Sequence, residues 1–403
     1  MNSRLAIIAA TLIWSTSGWT QASEQKLTGK WRGEFTIRDG TKAPFNFEIR
    51  NDQKLYLING EEVFETARIV VKDDSLFVPL DQFDNELAFK INNHTLRGVL
   101  RRQDHTGNTT PVIAEKGIQY RFKQNQTPAG DIGGSYDVEF QFESGKKEKG
   151  VAVFKQQGNK LTGTFLKPSG DTRFLEGVVH GNRFYLSSFI GSSPGYYEGT
   201  FSTDGKIRGV QIGTRVKHEF NGSRNENAAL NDPYKISSLK KGQQSLTFSF
   251  PDAEGKIVSL SDEKYKNKVV IVAITGTWCP NCIDEAAFLS PWYKKNKDRG
   301  VEVITIHYER QTDTAFAYKM MRRFRKRFDI QYDQVLGGMA HTDSVSKSLP
   351  QLESFSSFPT TIFIDKKGNV SKIHTGYTGP ATGKFYDEFV KEFNEEVDRL
   401  LER

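Results

Sequence analysis

The stretch Val269-Val270-Ile271-Val272-Ala273-Ile274-Thr275-Gly276-Thr277-Trp278-Cys279-Pro280-Asn281-Cys282 decides how the C-terminal part of this chain folds. Six consecutive apolar residues, most of them β-branched, read as a strand buried on both faces. Ile283 to about Lys297 can be helical, so the sequence order is strand, short turn, Cys-x-x-Cys, helix. A lone Cys-x-x-Cys is compatible with a redox site or with half of a metal site. At a helix start, however, a sulfur meets unpaired backbone N–H groups and the positive end of the dipole. That setting favours thiolate, the reactive form of cysteine. Cys279 and Cys282 are both the cysteines the protein has, and three apart they cannot staple the fold.

Further motifs follow in a fixed order. Phe250-Pro251-Asp252, Gly255-Lys256 and Val258-Ser259-Leu260 precede the strand, and Glu285 lies three residues beyond Cys282. Gly300-Val301-Glu302-Val303-Ile304 reads as a second core strand. Phe358-Pro359-Thr360-Thr361 runs into Ile362-Phe363-Ile364-Asp365 and the turn Lys366-Lys367-Gly368-Asn369. On these residues the segment 246–403, about two fifths of the chain, resembles the thioredoxin superfamily, and within it the membrane-facing thiol–disulfide oxidoreductases of the TlpA/ResA type.

The resemblance implies an α/β thioredoxin-like domain with Pro359 in the cis form. It implies Cys279 as the exposed nucleophile and Cys282 as the resolving thiol, the pair forming a redox-active disulfide. Trp278, Pro280, Phe358 and Pro359 are then expected to border bound substrate, with the Phe358 backbone open to pair with an extended segment. Thioredoxin itself carries a buried aspartate where Ala273 stands, and a helix proline where Ala287 stands; here Pro291 comes later. Glu285 occupies the place of this branch's acid. Its spacing from Cys282 puts both side chains on one helix face. If buried it would have a raised pKa and could take the Cys282 proton near neutral pH. If exposed it would only favour the helix dipole. Thr375 to Gly383 would lie on the same surface as the cysteines.

The other end of the chain reads as a leader. Met1 to Arg4 is short and positive, Leu5 to Trp14 is apolar apart from Thr11, and Thr20-Gln21-Ala22 fits a cleavage site. Residues 1–22 are therefore expected to be a secretory signal peptide, and the mature protein to be periplasmic, soluble or loosely membrane-associated. The net charge of +7 over 403 residues is mild, and no nucleic-acid-binding motif is present.

Residues 23–228 read differently. Trp31, Gly33, Phe35 and Ile37 share one parity, as do Phe45, Phe47 and Ile49, and turn signals such as Asp39-Gly40, Asn59-Gly60 and Gly181-Asn182 separate the runs. Short alternating strands with close turns predict antiparallel all-β architecture. The region is also internally repeated. Gly29-Lys30-Trp31 with Glu34-Phe35 returns as Gly134-Ser135-Tyr136 with Glu139-Phe140, and Leu96-Arg97-Gly98-Val99 as Ile207-Arg208-Gly209-Val210. Two related modules, 23–126 and 127–228, are expected, with one larger barrel or sandwich as the alternative. A polar linker, 229–245 at its core and starting as early as Asn221, leads into 246–403. Phe385, Phe389, Phe393, Val397 and Leu400 mark an amphipathic helix near the end, and Phe316, Met320, Phe324 and Phe328 mark another. The second carries the basic run Lys319, Arg322, Arg323, Arg325, Lys326 and Arg327, expected as a solvated face or a docking patch for an acidic partner.

Other chemistries fit the residues less well. A peroxiredoxin needs Pro-x-x-x-Thr-x-x-Cys, and Val272 and Gly276 stand at its proline and threonine places. A zinc or copper site would need His307, His341 or His374 to join the two cysteines; no metal and no cofactor is expected. A β-rich ligand- or protein-binding protein with an accessory redox domain is the reading of a different class. Strong oxidants of the thioredoxin fold often carry histidine between the cysteines. Pro280-Asn281 has none, so a reductase of protein disulfides is expected. The resemblance implies a membrane thiol electron donor, with apocytochrome cysteines or misoxidised proteins among the substrates.

Overall fold

The computed structural model describes residues 26–403, so the expected signal peptide lies outside the described residues. Two antiparallel β modules and an α/β domain pack against one another.

The first module is a nine-stranded meander. Its strands are β1 (Gly29–Thr36), β2 (Lys42–Ile49), β3 (Lys54–Asn59), β4 (Glu62–Arg68), β5 (Val70–Lys72), β6 (Ser75–Leu80), β7 (Asn85–Asn92), β8 (Thr95–Arg102) and β9 (Thr110–Lys116). Strand β9 returns to β1, leaving β4 and β5 at the two ends of the sheet. The second module repeats the plan with β10 (Gly134–Gln141), β11 (Lys147–Gln157), β12 (Lys160–Lys167), β13 (Gly170–Asp171), β14 (Leu175–His180), β15 (Arg183–Ser188), β16 (Gly195–Phe201), β17 (Lys206–Ile212) and β18 (Lys217–Arg224). Here β18 pairs β10 and β11 pairs β12, so the sheet closes into a barrel. Closure protects the strand edges from pairing with another chain.

The repeat extends to single contacts. Trp31 Nε1 donates to the Leu27 carbonyl at 2.8 Å, and the Tyr136 hydroxyl donates to Ile132, again four residues back, at 3.0 Å. Side chains fill the interior of the second barrel: Phe165 lies 5.5 Å from both Phe140 and Phe154 and 5.1 Å from Phe220, between ring centroids. The two modules also share a core. Phe189 of the second packs 4.7 Å from Phe35 and 5.2 Å from Phe45 of the first. Buried Arg121, on the connector, donates to the Ser187 carbonyl at 2.7 Å and also binds the Ile58 carbonyl.

The α/β domain opens with a hairpin, β19 (Ser249–Pro251) and β20 (Ile257–Ser259), and is built on a five-stranded sheet. The sheet strands are β21 (Val269–Thr275), β22 (Val301–Glu309), β23 (Asp333–Met339), β24 (Thr360–Ile364) and β25 (Val370–Thr375), in the order β23-β22-β21-β24-β25. Central β21 runs parallel to β22 and antiparallel to β24. Strand alternation splits its side chains: Val269, Ile271 and Ala273 face one core, Val270, Val272 and Ile274 the other. The first core is covered by α1 (Pro280–Asn296), α2 (Thr314–Phe328) and α4 (Lys384–Glu402). The second takes the entry segment at Leu246, Phe248 and Val258, with Val345 and Leu349 of and beside α3 (Thr342–Ser348). Pro291 stands inside α1 without ending it.

Two expectations change on contact with the structure. Asn221 to Arg224 belong to β18, and the linker beyond them is held against the α/β domain: Lys240 N–H donates to Gln351 at 2.8 Å, and Val370 N–H to Gln244 at 2.8 Å. Nor is the basic face of α2 simply solvated. Arg323 pairs with Asp81 at 3.3 Å, and the Arg327 guanidinium lies 4.1 Å over the Phe64 ring, so this face docks on the first module. No helix among the described residues is long and apolar enough to cross a membrane.

Close strand approach makes the repeated glycine a sharp test of the barrel. A Cβ at Gly209 would fall 2.2 Å from the Glu198 carbonyl oxygen, a backbone atom that cannot swing away. Gly209→Ala should therefore destabilise the second barrel by about 2 kcal/mol, read as a lower melting temperature of the β signal. Gly130→Ala is the control, since a Cβ there meets its nearest neighbour, Phe201, at an ordinary 3.5 Å; its melting temperature should stay near wild type.

Candidate active site

Strand β21 delivers the chain to Gly276, Thr277 and Trp278 at the C-terminal end of the central strand, and α1 starts immediately after. Pro280 takes the first helical position, where no backbone donor is lost. Cys279 is the N-cap in extended conformation, and its Sγ accepts the Cys282 N–H at 3.3 Å. On its other side the Cys279 thiol donates to the Phe358 carbonyl at 3.7 Å. The Phe358–Pro359 peptide is cis. Both thiols are free.

Cys279 is only 5% exposed, against the expectation of an exposed nucleophile, its sulfur lying between the Cys282 N–H and the Phe358 carbonyl. Cys282 lies fully buried beneath it. Burial pushes its thiol well up, and Cys279 and Glu285 push it further, with the Thr275 hydroxyl opposing. Glu285 is 3% exposed, which removes the exposed-acid alternative. Burial pushes its carboxyl up to about 8, although the Thr361 hydroxyl donates to it at 2.5 Å. A buried dithiol is thus set beside a carboxyl that exchanges its proton close to neutral pH.

Trp278 donates through Nε1 to the Tyr308 carbonyl at 2.8 Å and meets Phe358 edge to face at 5.5 Å. The Arg310 guanidinium stacks 4.3 Å above the Trp278 ring, a favourable cation–π geometry. Beneath the turn, buried Glu309 accepts the Thr277 N–H at 3.0 Å and its hydroxyl at 2.8 Å. Gln82 of the first module donates to the Thr277 carbonyl at 2.8 Å.

The structure therefore brings Trp278, Cys279, Pro280, Cys282, Glu285, Phe358 and Pro359 into one constellation. The 375–383 segment is close by, but it faces the second barrel: Gly379 N–H donates to Asp171 at 3.1 Å. His307 and His374 are buried in the domain, and His341 caps α3 through Nδ1 at 3.2 Å. No group of three or more His, Cys, Asp or Glu among the described residues could hold a metal ion. Glu309, Arg310 and Gln82 escaped the sequence reading. A charged pair ending an apolar strand, Glu309-Arg310, was the available signal; Gln82 had none, since its role exists only across the domain boundary.

The Glu285 shift makes stability depend on pH. Below its ordinary value of 4.5 both folded and unfolded chains hold the proton. Above it the unfolded chain releases the proton while the folded chain keeps it until about 8, so rising pH favours unfolding across that window. Relative to Glu285→Gln, the wild type should lose on the order of a few kcal/mol between those limits and level off beyond, as measured by urea denaturation at a series of pH values.

Residues 240–387 match the Redoxin family. The thiol-disulfide oxidoreductase ResA of Bacillus anthracis is 30% identical over 134 residues, which cover 33% of this chain and 68% of that protein. ResA of Bacillus thuringiensis subsp. konkukian is 27% identical over 157 residues, 39% of this chain and 80% of that protein. Among solved structures, a thiol:disulfide interchange protein of the thioredoxin family from Chlorobium tepidum TLS aligns with a TM-score of 0.30 and 23% identity, covering 41% of this chain and 99% of that one. A cysteine pair capping a helix beside a cis-proline loop, together with the sequence similarity to ResA, makes the chain, through its C-terminal domain, a member of the ResA-like thiol–disulfide oxidoreductases.

Proposed function

We propose that this protein is an exported reductase of protein disulfides that works by dithiol–disulfide exchange through Cys279 and Cys282. The observation that supports it most directly is the Cys279 sulfur, held between the Cys282 N–H and the Phe358 carbonyl. In the forward step the Cys279 thiolate attacks one sulfur of a substrate disulfide. A mixed disulfide forms, and the departing substrate thiolate takes up a proton. Cys282 then loses its proton to ionised Glu285 and attacks Cys279. The substrate leaves as a dithiol, and the protein keeps the Cys279–Cys282 disulfide, two electrons having passed to the substrate. Trp278, Pro280, Phe358 and Pro359 border the substrate, whose extended backbone pairs beside Phe358. Each turnover consumes one dithiol, so an extracytoplasmic thiol donor, a membrane thiol carrier in this reading, must restore it. The leader 1–22 supplies export, and 23–126 and 127–228 are taken as separate modules preceding the redox domain 246–403.

Direction is tested by the reduction potential of the cysteine pair, equilibrated with glutathione. A value on the order of −270 mV fits a reductase, and one near −120 mV would make the protein a disulfide-forming oxidant and overturn this reading. The proton step has its own signature. Resolution needs Glu285 ionised, so the single-turnover rate of mixed-disulfide resolution should climb as pH rises through about 8. Glu285→Gln should lower that rate by on the order of tenfold or more and flatten this limb of the profile. An unchanged profile would remove Glu285 from the proton transfer.

A further inference from the structure

The β12–β13 hairpin of the second barrel reaches into the redox turn. Two residues past it, Arg173 is almost wholly buried, with 9% of its side chain exposed, and sits at φ 58°, in a region that residues other than glycine seldom adopt. From there its guanidinium makes contacts to three parts of the molecule. One nitrogen donates to the carbonyl of Pro280, between the two cysteines, at 2.8 Å. The same nitrogen pairs at 2.5 Å with Asp284 of α1, two residues after Cys282. Its other face binds Glu62 on β4 of the first module. Burial works against the Arg173 charge, and Asp284, Glu62 and Asp171 more than restore it. Asp171, two residues earlier, accepts the Gly379 N–H of the loop on the far side of the cysteines. Gly170 comes so near that a Cβ there would fall 2.1 Å from the Asn281 amide nitrogen. The hairpin is wedged between the Cys-Pro-Asn-Cys turn and the 376–379 loop.

We infer that Arg173 is a positioning residue of the redox centre, by which the two β modules hold the Cys279–Cys282 turn in its dithiol geometry and so set its reduction potential. The inference rests on the dithiol reading above and extends it to a residue more than a hundred positions away. The sign follows from which state the contacts serve. With both thiols free, Arg173 holds the Pro280 carbonyl in the turn whose Cys282 N–H reaches Cys279 Sγ. On this proposal the contact loosens when the disulfide draws the two sulfurs together, and that difference is what counts against the disulfide. Removing the contact shifts the pair toward the disulfide and makes the protein a stronger reductant.

The test uses the full chain and oxidised glutathione, in the balanced exchange of one protein dithiol and one glutathione disulfide for one protein disulfide and two glutathione thiols. Arg173→Lys keeps a charge but lacks the fork that reaches all three partners. A second variant, Arg173→Met with Glu62→Gln and Asp284→Asn, removes the guanidinium together with the two carboxylates it pairs, so neither of those is left as an unpaired charge if a single change will not fold. The neutral triple variant should raise the equilibrium constant for disulfide formation at least tenfold, a shift of about −30 mV in potential, with Arg173→Lys between it and wild type. If melting temperatures fall while both equilibrium constants stay at the wild-type value, Arg173 only joins the domains and the proposal is overturned. A wild-type dithiol that does not exchange with glutathione at all would instead sink the dithiol reading itself, so the two failures are distinguishable.

Discussion

Helix α1 has to begin at Cys279, and the rest of the site is arranged around that start. The first N–H groups of a helix have no partner within it. Here one of them meets a sulfur instead of a side-chain oxygen or water. A reactive group used as a helix cap must be held steady from outside the helix, because a thiol is a weaker acceptor than the usual capping oxygens. The protein does so from four directions: β21 below, Glu309 at Thr277, the Phe358 carbonyl beside the sulfur, and Arg173 at the Pro280 carbonyl.

Two of these supports are ionic and buried, which is costly unless the charges are matched. Glu309 is satisfied by two donors from a single residue. The Arg173 cluster sets one guanidinium between Glu62 and Asp284, from different domains, and burial still holds the Asp284 carboxyl up at about 7. That arrangement explains how the β modules relate to the redox domain. They are not a tethered appendage: Gln82 and Arg173 reach the carbonyls of Thr277 and Pro280, on either side of Cys279. On the other side of the turn, Trp278 meets Phe358 edge to face and Arg310 lies over the indole. The filled interior of the second barrel also weighs against the reading in which that barrel is a container for a ligand, since aromatic side chains already occupy the space.

Much of the fold was legible in the chain. Six apolar residues before the cysteines read as a strand buried on both faces, and Val269 to Ile274 are. The alternation of Trp31, Phe35, Phe45 and Phe47 marked the inward face of a β module, and the paired glycines Gly98 and Gly209 marked its repetition. Helix α4 follows its Phe389–Phe393–Val397–Leu400 stripe. Local pattern worked because each of these elements buries one periodic face, and periodicity is a property of the sequence itself.

The cysteine pair and its helix were thus determined by the sequence, since both depend on residues adjacent in the chain, while the cis form of Pro359 was expected only from the family resemblance. The tertiary structure decided the burial of Cys279 and Glu285, the docking of the basic α2 face on the first module, and the approach of Arg173 to the turn between the cysteines. Burial and charge pairing depend on what lies across a domain boundary. No spacing within the chain encodes which barrel loop will face a helix start more than a hundred residues later. Arg173 looks like any other arginine in a β-rich segment until folding removes it from water and leaves Glu62, Asp284 and the Pro280 carbonyl as its partners.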